Sequence, residues 1–260
     1  MSDANEKRPT RSVEHEVEID APIERVWRAL TEADELERWF PLEAEVEPGE
    51  GGSIRMSWRN EFEGTSEIVE WDPPRHLRTT WGPPPDDEDA PAMFTDYTLE
   101  AKGGSTVLRV VTSGFPADES WDDWVEGTRR GWRYELYSLK HYLERHADED
   151  RRVVYLRHRT SLPREEAWER LTGPEGFGGG PPLGGAPFDE RPPRQWAAVL
   201  AEPEDALLRV SVEPTGPGLD ARDATLFLAV WGEAADERLE TLEREWAATL
   251  ERLFPEGETL

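Results

Sequence analysis

Five histidines, His15, His76, His141, His146 and His158, are scattered along the chain. His141 and His146 stand five residues apart, off the i, i+4 step at which two imidazoles on one helix face grip zinc, and no His-Glu-x-x-His occurs. There is no cysteine, which removes disulfides, thiol nucleophiles and thiolate metal sites together. Ser113-Gly114 and Ser161 lack the Gly-x-Ser-x-Gly setting of a hydrolase nucleophile. No Lys-Ser/Thr follows Gly176-Phe177-Gly178, which reads as a loop rather than a phosphate cradle. Asp86-Asp87 and Asp122-Asp123 suit the solvated face of an acidic chain, and nothing singles out either pair as general acid and base. The expectation is no catalytic residue, no metal and no cofactor.

Aromatic residues carry the stronger signal. With 12 Trp and 8 Phe, the chain concentrates Trp39, Phe40, Trp58, Trp81, Tyr97, Phe115, Trp121, Trp124 and Trp132 in its first part. Together with Met56 and Thr128 they are the candidate lining of a cavity for an apolar or aromatic ligand. The alternative is that each ring fills core while its N–H finds a partner, the commoner fate of any single Trp.

These residues need elements to hold them. From Ser120 to His146, apolar residues at Trp121, Trp124, Val125, Trp132, Leu136, Leu139 and Leu143 fall on one helical stripe. Ser120 and Asp123 form a Ser-x-x-Asp variant of the capping box, and Glu126, Arg129, Arg130, Arg133 and Lys140 are assigned to the solvated face. A helix so one-sided needs a broad apolar sheet to lie on. Upstream, Val13, His15, Val17 and Ile19 alternate with glutamates as a half-buried strand. Asp20 and Pro22 open a short helix, Thr31 to Phe40 reads as a second, and strands follow at Ile54–Arg59, Gly64–Trp71, His76–Trp81, Met93–Ala101 and Thr106–Phe115. The acidic proline-rich stretch Pro83–Pro91 reads as an exposed loop, and residues 1–11 as a disordered tail. Strands followed by a closing helix make the class α+β.

The segments APIERVWRALTEADELERWF, EGTSEIVEWDPPRHLRTTW and GWRYELYSLKHYL resemble the activator of heat-shock protein 90 ATPase homologue family, of the START-like (SRPBCC) superfamily. The resemblance implies a helix-grip fold over residues 12–146, an antiparallel sheet wrapped around the long C-terminal helix with an internal cavity between them. It leaves function open, because that superfamily includes lipid carriers, small-molecule binders, cyclases and co-chaperones.

Residues 151–260 repeat this pattern in shortened form. Pro22, Glu24, Trp27, Leu30 and Thr31 recur as Pro163, Glu165, Trp168, Leu171 and Thr172, at 163 − 22 = 141. The Pro-Pro-Arg turn at Pro73 recurs at Pro192, at 192 − 73 = 119, so 141 − 119 = 22 residues are missing between. The missing stretch corresponds to the short helix and two strands, which Gly176–Pro187 is too rich in glycine and proline to replace. Strands are expected at Gln195–Ala201, Ala206–Glu213 and Thr225–Trp231, closed by a helix with Leu239, Leu242, Trp246, Leu250 and Leu253 inward.

A net charge of 30 − 57 = −27 disfavours nucleic acid and anionic membrane as partners. No apolar run is long enough to span a bilayer and no signal core is present, so a cytoplasmic location without membrane insertion is expected. The leading expectation is a non-enzymatic protein that holds a small hydrophobic or aromatic molecule in the cavity of the first domain. A cyclase- or hydrolase-type enzyme using the same cavity is one alternative. A co-chaperone or protein-interaction module with a protein partner is the other.

Overall fold

The computed structural model describes residues 9–58, 63–81, 92–177, 185–203, 205–215, 221–232 and 236–259. The loop expected at 83–91, residues 1–8 of the expected tail and residues 178–184 lie outside the described residues, as does the side chain of Trp81. The chain divides into two compact units, Met1–Ala147 and Asp148–Leu260.

In the first unit the alternating run already begins at Thr10, so Thr10 and Arg11 belong to a strand rather than to a tail. That strand, β1 (Thr10–Ile19), joins β2 (Glu43–Glu47), β3 (Ser53–Ser57), β4 (Glu63–Asp72), β5 (His76–Trp81), β6 (Met93–Lys102) and β7 (Ser105–Pro116) in one sheet. Its order is β1-β7-β6-β5-β4-β3-β2, and all neighbours are antiparallel. Strand β2 is absent from the sequence reading. Its alternation is carried by only Ala44 and Val46 between three glutamates, too little apolar surface to stand out.

Helix α1 (Ile23–Thr31) starts behind Pro22, whose ring suits a helix start; Asp20 makes no cap, its carboxylate instead accepting from Ser105 Oγ at 3.4 Å. Helix α2 is shorter than expected, Ala33–Glu37, and the chain turns through Arg38 to Phe40. Helix α3 (Asp122–Arg145) closes the unit, preceded by a 3₁₀ turn at Glu119–Trp121. No side-chain cap bond forms at its start, and Ser120 Oγ donates to Asp118 instead.

The stripe Val125, Trp132, Leu136, Leu139 and Leu143 is buried as the spacing requires. Each such side chain contributes about 1.5–3 kcal/mol by leaving water. Two assignments on this helix are corrected. Trp124 is 41% exposed, because it sits one residue, about 100° of helix, out of phase with Val125 and the rest of the stripe. Arg130, expected in solvent, is buried at 1% exposure with Nη1 3.6 Å from Glu126.

The second unit runs β8 (Arg151–Thr160), α4 (Arg164–Thr172), β9 (Ala186–Arg191), β10 (Gln195–Val199), β11 (Leu207–Pro214), β12 (Arg222–Trp231), α5 (Asp236–Leu253) and β13 (Glu258–Thr259). Its sheet order, β13-β8-β12-β11-β10-β9, is that of the first sheet without β2 and β3, plus a short strand on the outer edge. The missing elements are thus α2, β2 and β3, and not the strand expected at Gly64–Trp71, whose counterpart is present as β9. Strand β9 corrects the reading of Gly176–Pro187, since pairing starts at Ala186, within that stretch. Local bonding repeats as well: Thr31 Oγ1 donates to Trp27 O and Thr172 Oγ1 to Trp168 O, both at 2.8 Å. Leu171, Val210, Leu226, Trp246 and Leu250 lie in the core between this sheet and its helices. No helix among the described residues is long and apolar enough to cross a membrane.

Candidate functional site

The inner face of the first sheet, the end of α1, α2 and the turn after it surround a cavity of about 20 Å³; no residue of α3 lines it, which corrects the expectation of a cavity between the sheet and the closing helix. Leu30, Leu36, Trp39, Phe40, Ile54, Met56, Ser66, Leu77, Thr79 and Tyr97 line it. That volume is enough for one water-sized group. Period-two alternation puts Ile54 and Met56, Leu77 and Thr79 on the same face of their strands, while the turn after α2 swings Trp39 and Phe40 over them.

The rings of this corner interlock. Trp39 stacks on Phe40 at 5.0 Å, Trp58 meets Phe40 edge-on at 5.3 Å, and Trp132 lies 5.7 Å from Phe40 and 5.8 Å from Tyr97. Polar handles of the two buried tryptophans are satisfied: Trp39 Nε1 donates to Ala29 O at 2.8 Å, and Trp132 Nε1 to Thr112 Oγ1 at 2.9 Å. Ser138 Oγ, on α3, donates to Trp39 O at 2.9 Å. Phe40 is the one lining residue that is part-buried rather than buried.

Four of the sequence-selected residues, Trp39, Phe40, Met56 and Tyr97, line the cavity, and Trp58 and Trp132 pack behind Phe40. Phe115 belongs to a separate cluster with Val13, Met93 and Val125, against which Trp121 packs. A bulge explains its inward turn: Arg11 pairs with Phe115 and Ser12 with Ser113, leaving Gly114 as the extra residue at φ +95°. A Cβ there would stand 2.3 Å from Ala92 O, so only glycine fits. Trp124 is on the surface with its ring 6.3 Å from Trp121, and Thr128 is half-buried on α3 outside the lining. Trp81 pairs with Met93 through its backbone.

Sequence reasoning passed over Ser66 and Thr79. Both sit at inward positions of their strands, beside Ile68 and Leu77, where alternation alone would have flagged a hydroxyl in a core row. Burial pushes the Tyr97 phenol above its ordinary range, so it stays neutral. The lining contains no carboxylate, imidazole or amine. Glu35 on α2, next in the chain to the lining residue Leu36, is a buried acid held by Arg25 at 2.5 Å, Arg38 at 2.9 Å and the Tyr142 hydroxyl at 3.0 Å. Among the described residues no group of three His, Asp or Glu could hold a metal ion. What the site offers chemically is apolar surface, aromatic faces and three hydroxyls.

Sheet, closing helix and enclosed corner together define the first unit as a helix-grip domain of the START-like kind. Residues 20–144 match the family model described as Activator of Hsp90 ATPase homolog 1-like protein. No curated protein matches the chain. Protein MLL2253 from Mesorhizobium loti is similar at 27% identity, over 53% of this chain and 99% of its own, with a TM-score of 0.47. The Aha1 dimer from Colwellia psychrerythraea is similar at 21% identity, over 52% of this chain and 97% of its own, with a TM-score of 0.47. DynU16, from the dynemicin biosynthetic locus, is similar at 21% identity over 95% of this chain and 97% of its own, with a TM-score of 0.46.

Proposed function

We propose that the first unit is a non-enzymatic binding module for a small hydrophobic or aromatic molecule, held beneath Phe40 between the sheet, α1 and α2. The observation that supports this reading is the composition of the corner beneath Phe40: aromatic faces and aliphatic side chains, with three hydroxyls and the Trp39 N–H, already bonded to Ala29 O, as the polar side-chain groups. Such a lining binds apolar molecules and supplies no acid or base for turning them over. A volume of about 20 Å³ is too small for a ring system, so the ligand enters by displacing Phe40, which is only part-buried. Opening costs the stacking of Phe40 on Trp39 and its edge contact with Trp58, about 0.5–1.5 kcal/mol for each ring pair.

Titration with 2-methylnaphthalene tests this. Saturable one-to-one quenching of tryptophan fluorescence is expected, and tighter binding in Phe40→Ala, where the displaced ring is gone. The reading fails if neither the wild-type protein nor that variant binds the probe.

A protein-interaction role is the second reading, favoured by the exposed Trp124 beside Trp121. It expects the protein to raise the ATPase rate of an Hsp90-type chaperone, and Trp124→Ala to lose the effect. An unchanged chaperone rate would sink it.

A further inference from the structure

Four hydroxyl-bearing residues run side by side across the concave face of the first sheet. Thr112 on β7 pairs with Thr95 on β6, Thr95 pairs with Thr79 on β5, and Ser66 follows on β4, one step along from Ile68, which pairs with Thr79. All four are buried. Tyr97 lies beside the row on β6, also buried, at 9% exposure. The row splits into two halves. At one end Thr95 Oγ1 and Thr112 Oγ1 lie 3.3 Å apart and Thr112 accepts from Trp132 Nε1, so these groups satisfy one another. At the other end Ser66, Thr79 and Tyr97 line the cavity, and none of their hydroxyls bonds to another described residue.

Burying three hydroxyls around one apolar void is unfavourable unless something there bonds to them. Alanine, valine and phenylalanine would fill the same positions without that cost. The cavity volume, about 20 Å³, is close to that of one oxygen-sized group. Each hydroxyl can donate or accept, so the set fits the oxygen of a phenol, an alcohol or a ketone equally well. A carboxylate or phosphate does not fit, because no Lys, Arg or His is in the lining to offset its desolvation.

We infer that Ser66, Thr79 and Tyr97 form an oxygen subsite, and that the ligand of this domain is a neutral, otherwise apolar molecule anchored there by one hydroxyl or carbonyl oxygen. The inference rests on the binding role proposed above and names the class of ligand. The ring system lies toward Phe40 and the oxygen toward the sheet. A solvent water can take the same oxygen position until the ligand displaces it.

The test compares 2-naphthol with 2-methylnaphthalene on the full chain, by tryptophan quenching. The ratio of the two affinities in the wild-type protein should fall about tenfold in Thr79→Val, and similarly in Ser66→Ala and Tyr97→Phe. Binding of 2-methylnaphthalene should stay within about threefold in the same variants, which also shows that they are folded. 2-Naphthoate should bind far more weakly than 2-naphthol. If both neutral probes bind and their ratio is unchanged in all three variants, the oxygen subsite is overturned while the apolar pocket stands. If neither probe binds the wild-type protein or Phe40→Ala, the pocket and the subsite fall together.

Discussion

Lys140 reaches from α3 to the outer edge of the sheet, where its Nζ donates a hydrogen bond of 2.7 Å to the carbonyl oxygen of Glu18. Two residues on, the Asp20 N–H donates to Glu144 Oε1 at 2.7 Å, and Lys140 and Glu144 bridge each other at 2.5 Å. Strand β1 is the terminal strand of its sheet, and these side chains occupy backbone groups that another chain could otherwise pair with. The second unit covers its corresponding edge differently. There β13 pairs with β8, Glu258 with Arg159, and 159 − 141 = 18 makes Arg159 the counterpart of Glu18. One hazard has two remedies, a lysine–glutamate clip and a two-residue strand.

Glu144→Ala should therefore act locally. It removes the acceptor of the Asp20 amide, so hydrogen exchange at that amide should speed by roughly tenfold. The pair is surface-exposed, so global stability should move by less than about 1 kcal/mol. Unchanged exchange at Asp20 would show that water or another group replaces the clip.

Glu35 predicts the opposite, a large effect from one buried carboxylate. It accepts from Arg25, Arg38 and Tyr142, which ties α1, α2 and α3 together behind Leu36 and Trp39 of the cavity wall. Glu35→Ala strands buried charge and should cost about 3–5 kcal/mol in urea unfolding. Tyr142→Phe removes one donor and should cost about 1 kcal/mol. Comparable small losses in both would mean that the network is not a structural tie.

The fold was legible where period and chemistry coincide. Ile23–Thr31 and Arg164–Thr172 stand at a constant offset of 141 and both follow a proline, and the α3 stripe needed only its own spacing. Less legible was anything decided by a partner outside the segment. Arg130 reads as solvated from helix phase alone, because a sequence window cannot show what else covers that face. Ser120 reads as a cap, yet Asp118 two residues before it competes for the same hydroxyl.

Of the residues selected for the site, Trp39, Phe40, Met56 and Tyr97 line the cavity and the other described ones do not. Trp39 and Trp132 spend their N–H groups on Ala29 and Thr112 and are packed like core residues. Phe115 is turned inward by a bulge at Gly114 that strand alternation does not announce. The hydroxyls at Ser66 and Thr79 carry no motif at all. Only the register that brings β4, β5 and β6 side by side makes them neighbours.

His15 supplies a pH prediction. Its imidazole on β1 is part-buried, and burial, followed by the nearby Arg133 guanidinium on α3, holds its pKa below the ordinary histidine value. The folded state therefore favours the neutral ring. Its contribution is fully present above the unfolded-state value and is lost as pH falls through the folded one, because the unfolded chain binds the proton more readily. His15→Asn should flatten the fall in stability between about pH 7.5 and 5, measured by urea unfolding. An identical slope in the variant would remove His15 as a source of acid sensitivity.

The last prediction weighs two opposing effects of salt. On the outer face of the first sheet, cross-strand pairs recur: Arg109 with Glu14 at 2.6 Å, Lys102 with Glu18 at 2.7 Å, and Arg55 with both Glu45 and Glu63 at 2.9 Å. Salt screens these attractions and by itself would destabilise the fold. They are exposed pairs, however, of the kind that contributes little. Against them stands an excess of 57 − 30 = 27 acidic groups, whose mutual repulsion the same salt screens over about 10 Å at 0.1 M. Repulsion should win, so the melting temperature should rise steadily from dilute buffer to about 1 M potassium chloride, with most of the gain below about 0.3 M, where the screening length changes most. A melting temperature that fell with salt would mean that the cross-strand pairs outweigh the net charge. A flat profile would mean that the two cancel and that the acidity has no part in stability.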